Sequence, residues 1–97
     1  MFAVTTAKGP KWLHDCGIRE QPAWDEHAQF LDTLVERGVV VLGGPISSTD
    51  LYDVALLAVE AANEEQLRSI FDDDPWAKNG VLRIKEVRGW TLWLDGR

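Results

Sequence analysis

Apolar positions in this chain fall into short segments separated by Gly, Pro and charged runs. Residues 2–7 (FAVTTA) are rich in β-formers and predict a strand, broken by Lys8-Gly9-Pro10-Lys11. Residues 8–21 read as a long polar loop carrying Trp12, His14, Cys16 and Arg19, and a loop of that length in a small domain is either disordered or functional. Residues 22–37 predict a helix. Pro22 suits its first position, Asp25 and Glu26 complement the positive end of the dipole, and Arg37-Gly38 stops it. Its apolar stripe is Phe30, Leu31 and Leu34, and one turn further back that stripe reaches His27. Residues 39–46 (VVVLGGPI) predict a second strand ending at Gly43-Gly44-Pro45, and residues 53–61 a third. Asn63 with Gln66 resembles a capping box for a second helix, whose buried face is Leu67, Ile70 and Phe71. Three residues beyond Phe71 lies Asp74, and Pro75 stops the helix there. Residues 81–94 predict a long last strand that includes Trp90 and Trp93.

The resulting βαββαβ order is an α+β, ferredoxin-like arrangement: a four-stranded antiparallel sheet with both helices on one face. A sheet covered on one face alternates apolar and polar residues, yet Val39–Leu42 and Val54–Val59 do not. Their second face then needs a cover, and no element of the chain is left to supply it. A second copy stacked sheet to sheet would do so, which predicts a homodimer with the character of an α/β barrel. The other reading is an open face that tolerates apolar residues.

At 97 residues the chain is expected to be one domain, 1–97. Its 45% apolar and 27% charged residues are ordinary globular values. With 10 Lys and Arg against 16 Asp and Glu the net charge is −6, without the basic footprint that nucleic-acid binding needs. The longest apolar runs fall far short of the roughly 20 residues that span a bilayer, so no membrane partner is expected. The N-terminus lacks a signal-peptide pattern, and the lone Cys16 fits a reducing compartment; the expected location is cytoplasmic. One Cys and two His argue against a metal site, and no cofactor is expected.

Two ionisable residues extend buried stripes: His27 at the start of one helix and Asp74 at the end of the other. A core histidine bonded to a backbone carbonyl and a solvated acidic run, Asp72-Asp73-Asp74, are the plain readings of the two. However, acids at a helix C-terminus oppose the macrodipole, and Asp74 shares a face with Leu67, Ile70 and Phe71. Antiparallel helices would bring the two residues together as a His–Asp pair able to act as general base or acid. Arg19 and His14 either bind an anionic group or are solvated. Gly43-Gly44-Pro45 lacks a phosphate-loop pattern, and its glycines suit close approach of a backbone or ligand. Trp12, Trp24 and Trp76 are candidate pocket walls, Trp90 and Trp93 candidate dimer contacts, and Cys16 has no identified base to make it a nucleophile.

Together these residues resemble the YCII-related proteins over nearly the whole chain. The resemblance rests on Arg19-Glu20-Gln21-Pro22-Ala23-Trp24-Asp25-Glu26-His27, on Gly43-Gly44-Pro45, on Asp74-Pro75 and on Gly80. It implies a ferredoxin-like fold in a dimeric α/β barrel and an active-site pair at His27 and Asp74. Some members carry a basic residue shortly before the His, where this chain has Trp24 and Asp25. The family includes a dehydrochlorinase of chlorinated hydroxyquinols, and its barrel is similar to that of muconolactone isomerase. The expected function is therefore a cofactor-free enzyme of lyase or isomerase type, acting on a small cyclic or aromatic molecule. His27 would be the base and Asp74 its partner, with Arg19, Trp24, Gly43, Gly44, Pro45 and Trp76 binding substrate. The alternative is a non-catalytic dimeric module that binds a small ligand or supports assembly.

Overall fold

The β-former runs pair as strands in the computed structural model, which describes residues 1–97. They are β1 (Phe2–Lys8), β2 (Val40–Pro45), β3 (Asp53–Val59) and β4 (Leu82–Gly89). All pairings are antiparallel, and the sheet order is β2-β3-β1-β4. Helices α1 (Trp24–Glu36), α2 (Glu64–Phe71) and the short α3 (Pro75–Lys78) complete the βαββαβ order, with α3 as an addition. The main core lies between sheet and helices, where Leu34, Leu67 and Phe71 meet Val4, Val40, Leu57 and Val59. No helix is long and apolar enough to cross a membrane.

Several boundaries differ from expectation, each for a local reason. Helix α1 begins at Trp24, so Pro22 lies outside it; Ala23 is the N-cap, in the left-handed region at φ 60° and ψ 30°. At the other end Gly38, at φ 75°, lets its own N–H and that of Val39 bond back to the carbonyls of Val35 and Leu34. The cap of α2 forms as expected, with Asn63 Oδ1 accepting from the Gln66 N–H at 2.8 Å. Its reciprocal bond is displaced by one residue, since Gln66 Oε1 accepts from the N–H of Ala62. Helix α2 ends at Phe71, and Asp74 caps α3 instead of closing α2. The last strand stops at Gly89, opposite Phe2, with one further bond from the Trp90 N–H to the Met1 carbonyl. Trp90 and Trp93 are therefore not strand residues, and Trp93 is 90% exposed.

The non-alternating run in β2 has a specific cause. Register shifts between Val40 and Leu42, so Val40 pairs with Val59 toward the helices while Leu42 pairs with Ala58 on the opposite face. Leu56, which pairs with Gly44 and Thr5, shares that open face. Leu42 and Leu56 are both exposed there.

The polar loop before α1 is ordered by one side chain. Gln21, buried, donates from Nε2 to the carbonyls of Leu13, Cys16 and Gly17 and accepts the Leu13 N–H at Oε1. Trp12, from the same loop, is buried in a second core with Val54, Trp76 and Val81.

Candidate functional site

His27 lies in the first turn of α1, where two lines of side chains diverge. One runs through Phe30 and Leu34 into the core; the other runs through Leu31 and Val35 along a cavity. Asp74 arrives from the turn between α2 and α3. Its Oδ1 accepts the N–H of Trp76 at 2.9 Å, as an N-cap does, and Pro75 occupies the first helical position. The carboxylate that opposed the dipole of α2 thus sits at the favourable end of α3.

The imidazole Nδ1 of His27 is 2.9 Å from both Oδ1 and Oδ2 of Asp74. Both side chains are about 95% shielded, at 5% exposure each. A carboxylate buried this deeply is tolerable only when its oxygens are satisfied, and no buried polar side-chain atom of the chain is left without a partner. Because a carboxylate accepts, Nδ1–H donates to it, and Nε2 is the ring nitrogen turned away from Asp74. Nε2 makes no hydrogen bond within the protein and is not sealed off, and His27 borders the cavity. The result is an oriented imidazole whose Nε2 edge is turned to the cavity.

That cavity, of about 620 Å³, runs between α1 and edge strand β2. Its walls are mainly apolar. Of the residues expected at the site, His27, Asp74, Arg19, Trp24, Gly43, Gly44 and Pro45 all border it. Trp76 does not: it is fully buried, stacked on the far side of His27 with ring centroids 3.8 Å apart and planes 7° apart. This places Trp76 behind the imidazole rather than along the cavity wall. Trp12 is likewise buried, edge-on to Trp76 at 6.0 Å.

Arg19 stands in a turn of 3₁₀ helix (Ile18–Glu20), borders the cavity and makes no ion pair within the chain. His14 goes elsewhere, edge-on to Tyr52 at 6.2 Å. Desolvation, with Asp15 and Glu20 beside it, pushes the Cys16 thiol up, so it stays protonated rather than nucleophilic. No three His, Cys, Asp or Glu side chains are grouped to hold a metal. The sequence reading missed Thr6, Asp32 and Val35 as cavity residues. Its available signal was the second helical line Trp24-His27-Leu31-Val35, one turn apart at each step.

The glycines divide in role. A Cβ at Gly43 would collide with Leu57 Cδ2, whereas one at Gly44 would meet nothing. Gly43 is small for the sake of the core as well as the cavity.

Residues 1–91 match the YCII-related domain. The derivative of benzaldehyde biosynthesis cluster protein C of Emericella nidulans is 33% identical over 76 residues, covering 70% of this chain and 74% of that protein. Among solved structures, the 5-chloro-2-hydroxyhydroquinone dehydrochlorinase of Burkholderia phenoliruptrix, in complex with 2,5-dihydroxybenzoquinone, is similar with a TM-score of 0.60. It is 21% identical, with 94% of each chain covered, a likeness of fold.

Proposed function

We propose, given that the chain belongs to the YCII-related family, that it is an enzyme moving a proton on a small cyclic or aromatic molecule held between α1 and β2. The observation that carries this reading is the buried His27–Asp74 pair, with Nε2 free at an apolar cavity. Nε2 takes a proton from an acidic C–H or O–H of the ligand. The electron pair left behind either expels an anionic leaving group from the neighbouring carbon, an elimination, or shifts a double bond. In the second case the imidazolium returns the proton at another atom, an isomerisation. Asp74 keeps the proton on Nδ1 beforehand and faces the imidazolium afterwards. Arg19, free of ion pairs, receives the anionic oxygen that develops on the ligand. The solved neighbour's bound quinone is a flat, oxygenated ring of the size and polarity this cavity suits.

The test is a thermal-shift screen of small phenols, quinones and lactones on wild type and His27→Ala, followed by turnover assays of the compounds that stabilise. The expected result is stabilisation of both proteins and turnover by wild type alone, since loss of a general base costs about 10²–10⁴-fold. Equal turnover by His27→Ala would remove the base. Stabilisation without turnover of any compound would favour the binding module.

The same proposal includes a homodimer joined through the open sheet face. Its support is the exposure of Leu42 and Leu56 on that face, and of Trp93 and Leu94 in the segment after β4.

A further inference from the structure

We infer that Trp76 is a positioning residue, which holds the plane of the His27 imidazole through its indole while its main chain holds Asp74. The inference rests on the proposed role of His27 as base. Both Asp74 oxygens lie 2.9 Å from Nδ1, so the carboxylate selects which nitrogen carries the proton but is shared between two acceptors. Such a bond leaves the ring able to rock about its Cβ–Cγ axis, a torsion with a broad minimum. The indole of Trp76 removes that freedom: it lies flat against the imidazole, 3.8 Å away and within 7° of parallel.

The indole is itself fixed. Its Nε1–H donates to the carbonyl of Pro22 at 2.6 Å, and the edge of Trp12 packs against it. Its backbone N–H donates to Asp74 Oδ1. Pro22 directly precedes Ala23, the left-handed residue from which α1 starts and whose carbonyl accepts the N–H of His27. One residue therefore ties the start of the base's helix to the turn that carries the carboxylate. Trp76 is fully buried and does not border the cavity, so it acts on the site only through His27 and Asp74. It also covers one whole face of the imidazole and leaves the Nε2 edge for the ligand.

The test needs no ligand. The two-bond ¹H–¹⁵N spectrum of the histidine rings and the relaxation of Cε1–H report tautomer and ring mobility, with exposed His14 as internal control. Wild type is expected to show His27 with well-separated nitrogen shifts and a rigid ring. Trp76→Phe keeps a flat face but loses the bond to Pro22. Its expected result is a folded protein whose His27 ring gains mobility and whose two nitrogen shifts move together. Trp76→Leu, where it folds, is expected to extend both changes. Unchanged His27 signals in Trp76→Phe would overturn the inference, as would a Trp76→Phe chain that cannot fold, since the indole would then be core packing. Failure of the base assignment is distinguishable, because it shows as undiminished turnover by His27→Ala.

Discussion

Gly43 has little room on the helix side of β2. A Cβ there meets Leu57, a residue of the main core, so the substitution overpacks that core. Gly43→Ala is expected to cost about 1–3 kcal/mol, read as a lower urea midpoint. The penalty should shrink in a Leu57→Ala background, because the colliding atom is then gone; equal penalties in both backgrounds would mean that the clash is relieved some other way. Gly44→Ala has open space and should be close to neutral. In the sequence both glycines have one role, close approach of a backbone or ligand. Only the register of β2 against β3 separates them, and register is a property of the paired strands.

Each element was legible to the extent that its cause is local. The strands were, because runs of β-branched residues need no distant information to be extended. The cap of α2 was too, and Asn63→Ala is expected to cost about 1 kcal/mol by loss of the bond to the Gln66 N–H, measured as thermal stability. A negligible change would mean that water replaces Asn63 fully. Helix α3 was not legible, since four residues (PWAK) are too few to show a period. The segment Trp90–Leu94 has the residues of a strand but lies outside the ladder, apart from one bond from the Trp90 N–H to Met1. The proximity of His27 and Asp74 was legible from their places next to two buried stripes, although Asp74 reaches His27 as the cap of α3 and not as a continuation of α2. The bulge in β2 and the stacked place of Trp76 arise from tertiary packing and leave no pattern in the chain.

At the scale of the whole molecule, one charged group ties distant parts together. Lys85, on β4, bonds Asp50 in the loop between β2 and β3 at 2.7 Å and Asp53 at the start of β3 at 2.5 Å. These bonds hold both carboxyls below the ordinary aspartate value. A carboxylate favoured in the folded state stabilises it above the unfolded pKa, and that contribution is lost as pH falls through the lower folded value. Melting temperature should therefore drop below about pH 4, and Lys85→Met should flatten that acid limb while lowering stability near neutrality. An acid limb of unchanged slope would exclude this network as its source. Assembly is the other property at this scale. Light scattering after size exclusion is expected to give about twice the 10.9 kDa chain mass. Leu56→Glu, on the open face, should return it to the monomer value. A monomeric wild type would end the dimer proposal.

The clustering of indoles around His27 gives the protein an optical reporter of its own. Trp24 and Trp12 lie 5.6 Å and 6.0 Å from Trp76, close enough for excitation absorbed by one to pass to another. A protonated imidazole quenches indole emission, and His27 lies flat on Trp76. Trp90 and Trp93 stand apart from this cluster, in the segment after β4. Blue-edge fluorescence is thus expected to change when the His27 ring is protonated or the cavity is filled, with no label attached.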